Sequence, residues 1–70
     1  MTTWTEEEEI ELAEVVLRHI REKSTLLAAM NEASNKLNRS EDECSSRWHR
    51  YTKDNYQVAV IHAMKIRYAK

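Results

Sequence analysis

Seventy residues hold one hydrophobic core and leave no room for a second, because chains divide into domains only at several times this length. The absence of every glycine and proline excludes a glycine-rich phosphate loop, and with 33% of residues charged it points to helices joined by short polar turns. The net charge of −1 conceals a division: residues 1–35 sum to −5 and residues 36–70 to +4, so polyanion binding belongs to the second half.

The first predicted helix opens at Thr5-Glu6-Glu7-Glu8, where a threonine cap and a glutamate three residues on form a capping box. Ile10, Ala13, Leu17 and Ile20, joined by Leu12 and Val16, make its apolar stripe to about Arg21. The run Glu6 to Glu9 reads as a capped, solvated first turn facing the positive end of the helix dipole. Ser24 or Thr25 caps a second helix with Leu26, Leu27, Met30, Ala33 and Leu37 on its buried face. It should end near Leu37, with Asn38 suited to a left-handed residue and Asn38-Arg39 forming a tight turn.

Ser40-Glu41-Asp42-Glu43 repeats the capping box and opens a third helix only two or three residues later, the spacing of a helix-turn-helix. Cys44, Trp48 and Tyr51 fall at i, i+4 and i+7 on its inward face, and Asp42, Ser45, Ser46, His49, Arg50 and Lys53 on the outward one. A fourth segment is expected from Asp54, with Gln57 completing a box-like pair. Its Val58, Val60, Ile61, Ala63, Met64, Ile66 and Tyr68 cover more than one stripe, as in a helix that packs on its own domain and against a second chain.

Cys44, the single cysteine, excludes an internal disulfide and a Cys-based zinc site, and its place beside Trp48 gives it a core role in a reducing compartment. His19, His49 and His62 have no ligand spacing, so neither metal nor cofactor is expected. His19 reads as a surface or boundary residue, and no catalytic constellation is present, so the chain is not read as an enzyme. No apolar run nears the roughly 18 residues of a membrane span, and the acidic N-terminal stretch is unlike a secretory signal, so a soluble cytoplasmic protein with no membrane partner is expected.

Trp4-Thr5-Glu6-Glu7-Glu8 and Cys44-Ser45-Ser46-Arg47-Trp48 resemble the opening Trp-Thr-x-Glu-Glu and closing Cys-x-x-Arg-Trp motifs of the Myb/SANT repeat, over about residues 4–51. The stretch from Leu12 to Glu22 is similar to one that recurs in RsfA-type prespore transcription regulators of spore-forming bacteria and related phage genomes, proteins that are as a rule longer and carry a coiled-coil extension. The resemblance implies an all-α fold: a three-helix Myb/SANT-like helix-turn-helix over residues 1–53 and a further amphipathic helix over 54–70. Trp4 and Trp48 would occupy two of the family's core tryptophan positions, with Leu27 or Met30 replacing the middle one. Arg47 would reach a glutamate of helix one such as Glu8 or Glu11.

The same resemblance implies a transcription regulator whose third helix enters the major groove of double-stranded DNA, with Ser45, Ser46, His49 and Arg50 toward the bases. Arg50 and Lys53 can pair with guanine edges or phosphates, while Lys36 and Arg39 beside the turn can hold the backbone. A homodimer through residues 54–70 would supply a second half-site. Glu41, Asp42 and Glu43 at the start of the same helix oppose a polyanion. They support the rival reading, a small SANT-like adaptor, phage-encoded in one version, that binds a partner protein instead of DNA.

Overall fold

Helices begin where a side-chain oxygen meets the unpaired amides of a first turn. In the computed structural model, which describes residues 3–69, α1 (Glu6–Arg21) starts at a complete capping box: the Glu8 amide donates to Thr5 Oγ1 and the Thr5 amide to Glu8 Oε1, both at 3.1 Å. α2 (Leu26–Leu37) is capped by Thr25, and Ser24 is not its cap; the Ala28 amide donates to Thr25 Oγ1 at 3.1 Å. α3 (Glu41–Arg47) has the second capping box, between Ser40 and Glu43. α2 closes at Asn38 in the left-handed region, φ 54° and ψ 45°, as its sequence predicts.

α1 closes in the same way at Lys23, φ 62°, where no sequence signal pointed. The Ser24 amide donates to the His19 carbonyl at 2.8 Å and the Lys23 amide to Ile20 at 3.2 Å, the paired bonds of a Schellman turn.

Beyond Arg47 the backbone stays right-handed and widens into a π-helical turn, Trp48–Thr52, in which the Lys53 amide donates to the Trp48 carbonyl five residues back. One α-turn, α4 (Lys53–Asn55), completes a continuous rod from Glu41 to Asn55. Tyr56, at φ −124°, breaks it. α5 (Gln57–Arg67) then starts with no side-chain cap, so Asp54 belongs to the rod and does not pair with Gln57 as a cap. The described residues are otherwise turns, and the architecture is the expected all-α one.

α1 lies at the centre and packs against α2, α5 and the π turn, while α2 packs on α3. Leu12, Ala13, Val15 and Val16 meet Ala29, Met30 and Ala33, and Cys44 and Trp48 close the cluster. Truncating a buried indole such as Trp48 to alanine costs about 3–5 kcal/mol, comparable with the whole stability of a domain this small. Three expectations about burial are corrected. Ile10 at the start of the α1 stripe is exposed and Val15 is buried instead, because neighbours on two sides of α1 widen its inner arc. On α2 Ala29 is buried, while Leu26 and Leu27 lie outside, Leu27 with 74% of its surface exposed; Met30, not Leu27, is in the core cluster with Trp48.

The third correction concerns the rod. The π turn carries the inward face one residue further than an α-helix would, so Thr52 is buried at 1% exposure and Tyr51 is turned out at 49%.

Candidate nucleic-acid interface

The rod is aimed by two glutamates of the first α1 turn. Arg39 Nε and Nη2 donate to the two oxygens of Glu8 at 2.7 and 3.1 Å, a bidentate fork. Arg39 also donates to Glu43 at 3.2 Å and to the Thr3 carbonyl at 3.1 Å, and its guanidinium lies 4.3 Å from the centre of the Trp4 ring. The Arg39 hydrogen bond, followed by that of the Thr5 amide, holds the Glu8 carboxyl at about 2, against an ordinary 4.5.

Glu9, one residue later, holds the rod itself. Arg47 Nε donates to its Oε2 at 2.7 Å, and the buried Thr52 hydroxyl donates to its Oε1 at 2.7 Å. Arg47 therefore reaches helix one as the resemblance implied, but its partner is Glu9, whereas Glu8 takes Arg39 and Glu11 neither. Glu8 and Glu9 are not a solvated first turn; they are half-buried anchors, because Arg39 in the turn before the rod and Arg47 on it lie within reach of the end of α1 that favours negative charge. Sequence reasoning missed Glu9 and Thr52, which stand 43 residues apart, since nothing local signals their contact.

The residues expected at the interface do not share one environment. Ser46 and Arg50 are exposed and line one depression of about 450 Å³ together with Tyr51, Arg47 and Trp4. His49 is exposed on the same rod, and Lys53 is exposed but lines a second groove against α1, α2 and α5. Ser45 is half-buried. Lys36 is half-exposed in the last turn of α2 and paired with Glu32 at 3.2 Å. Arg39 has a side chain 5% exposed in the Glu8 cluster, so its guanidinium is placed behind the surface and not on it.

The acidic start of the rod is also partly accounted for. Glu43 accepts from Ser40 and Arg39, which hold its carboxyl below the usual range, the cap first, whereas Glu41 and Asp42 face solvent. His19 is a boundary residue, half-buried and paired. Its Nε2–H donates to Glu32 at 2.8 Å and its Nδ1 faces Ser24 Oγ at 2.9 Å, with Arg18 on the same carboxylate. Burial pushes the Cys44 thiol up, as its core position requires. Among the described residues no cluster of metal-ligating side chains occurs, and no helix is long and apolar enough to cross a membrane.

Residues 4–61 match the family model of the Myb-like DNA-binding domain, a span that takes in the capped α1, the helix-turn-helix, the π turn and the start of α5. The chain is 45% identical over 64 residues to the sporulation-specific transcriptional regulator GerR of Bacillus subtilis (strain 168). That alignment covers 91% of this chain and 33% of GerR, so the chain spans about a third of the length of that relative. No solved structure matches it.

Proposed function

The chain belongs to the Myb-like DNA-binding domain family, and from that premise we propose that it is a cytoplasmic DNA-binding transcription regulator, not an enzyme, that lays the rod from Glu41 to Asn55 in the major groove. The observation that carries this reading is the exposure of Ser46, His49 and Arg50 on a rod whose other side is buried and whose direction is fixed by two glutamate–arginine pairs, with Lys53 exposed further along it at the groove toward α5. Arg50 and Lys53 supply the cations for guanine edges or phosphates, and Ser46 and His49 the neutral polar contacts. Ser45 stands at the edge of this surface and Lys36 beyond it; Arg39 acts by holding the rod.

A homodimer through residues 54–70 belongs to the same proposal. α5 exposes Val58, Ile61, Met64 and Ile66, and Met64 shares a groove with the exposed Leu26 of α2, an apolar area that a second copy would cover while bringing a second rod to an adjacent half-site. Lys70, at the end of that segment, lies outside the described residues.

The test is fluorescence anisotropy of a labelled duplex at about 50 and 200 mM salt, with sedimentation of the protein recorded beside it. Salt-dependent binding that weakens in Arg50→Ala and Lys53→Ala, with thermal unfolding nearly unchanged, is the expected result. Equal affinity of the wild type and both variants would sink it. The exposed Glu41 and Asp42 favour a second reading, a protein-binding adaptor, and absence of binding even at low salt would move the assignment there.

A further inference from the structure

Tyr51 lies within the π turn Trp48–Thr52. With α-helical spacing it would face the core with Cys44 and Trp48; the widened turn buries Thr52 in its place and leaves the Tyr51 ring half-exposed. An exposed tyrosine on a binding rod is an apolar ring with a polar tip, a combination enriched at interfaces. π turns are frequent at functional positions.

The ring is also held in place. The Arg47 guanidinium lies 4.0 Å from its centre, and Arg47 is itself fixed by Glu9. Tyr51 shares its depression with Ser46 and Arg50, while Asp42 and Glu43 line the side toward the start of the rod. Arg47 contributes little free charge here, because the Glu9 carboxylate lies against it. What the depression offers an incoming strand is therefore the half-exposed Tyr51 side chain, with its phenol hydroxyl, and the Arg50 cation, which line it together.

We propose that Tyr51 is a DNA-contacting residue, its hydroxyl donating to a backbone phosphate of the duplex beside the Arg50 contact, with Arg47 and the π turn acting to position its ring. The proposal rests on the DNA-binding reading. It assigns the phosphate contact to a neutral donor, which distinguishes it from the contacts of Arg50 and Lys53, because a neutral donor releases no counterion.

The test compares wild type, Tyr51→Phe, Tyr51→Ala and Arg50→Ala on a labelled mixed-sequence duplex across a salt series. Tyr51→Phe keeps the ring on Arg47 and removes only the hydroxyl, so a melting temperature close to wild type confirms that its fold is intact. Both Tyr51 variants are expected to weaken binding about three- to ten-fold, the worth of one hydrogen bond, with the salt slope unchanged. Arg50→Ala is expected to weaken binding and to lower the slope by about one.

Wild-type affinity in Tyr51→Phe overturns the proposal, whether or not Tyr51→Ala is impaired, and leaves the DNA reading standing if Arg50→Ala is weakened. No binding by the wild type at about 50 mM salt overturns the DNA reading, and the Tyr51 contact with it.

Discussion

The two ends of α1 are held by different chemistry. At its N-terminal end Glu8 and Glu9 grip Arg39 and Arg47, residues that lie 31 and 38 positions away in sequence. At its C-terminal end Arg67 of α5 donates to the carbonyls of Ile20 and Ser24 at 3.3 and 2.8 Å, and α5 otherwise rests on the small Ala63 and the half-buried Val60. Both arrangements obey the helix dipole, with acid at the positive end and a cation at the negative one. The difference is that the first joins particular side chains and so fixes the direction of the rod, whereas the attachment of α5 joins a side chain to backbone that any sequence would provide; the side-chain pairs at that end, His19 and Arg18 on Glu32, bind α2 instead. The element that meets DNA in our proposal is aimed; α5 is only attached, and its outer face stays open for a second role.

The largest effect expected from breaking this contrast is at Glu9. Glu9→Gln weakens the pairing with Arg47 and with the buried Thr52 hydroxyl, and a loss of about 1.5–2 kcal/mol is expected in urea unfolding. Duplex affinity should fall as well, since the rod loses one of its two anchors. Arg67→Ala is expected to cost about 1 kcal/mol and to leave duplex affinity unchanged. An Arg67→Ala variant that lost DNA binding as Glu9→Gln does would show that both ends aim the rod.

Acid should weaken both ends, by a smaller amount. Glu8 at the N-terminal end and Glu32, held chiefly by His19 at the C-terminal end, each have a carboxyl depressed from the ordinary 4.5 to about 2. A carboxyl lowered in the folded state contributes stability that is complete above about pH 4.5 and is lost as pH falls toward about 2. Glu8→Gln and Glu32→Gln should each flatten the decline in melting temperature over that window. An unchanged decline in Glu8→Gln would mean that the Arg39 fork does not persist in solution.

The contrast also explains what the sequence disclosed. Capping boxes at Thr5 and Ser40 and the left-handed Asn38 were legible because each depends on neighbours within four residues. Tyr51 and Thr52 exchanged places because helical periodicity assumes a constant pitch, and no residue type marks a π turn. Arg39 looked like a phosphate ligand beside a turn, since its Glu8 partner is remote in sequence and close only in the fold. Leu26 and Leu27 were placed inside by hydrophobicity, yet they begin α2 beyond the edge of the small core. The exposure of Ser46, His49, Arg50 and Lys53 was readable because it needed only the face of the rod, not its partners, whereas Ser45, expected on the same face, is half-buried.

The smallest expected effect lies at the turn that Arg67 spans. In a chain without glycine, Lys23 must take φ 62° between the very carbonyl-bearing residues, Ile20 and Ser24, that Arg67 binds. A left-handed conformation costs a residue with a Cβ roughly 1–2 kcal/mol, and glycine escapes it while losing about 0.5–1 kcal/mol more in backbone entropy on folding. Lys23→Gly should therefore stabilise the fold by about 0.5 kcal/mol, a rise of about 2–4 °C in melting temperature for a domain this size. Asn38→Gly, at the matching turn of α2, should gain less because asparagine tolerates the region. If Arg67 keeps α5 attached partly by restraining a reluctant turn, Arg67→Ala will cost less in the Lys23→Gly background than in the wild type. Equal costs in both would mean that the two residues act independently and that the bonds from Arg67 serve α5 alone.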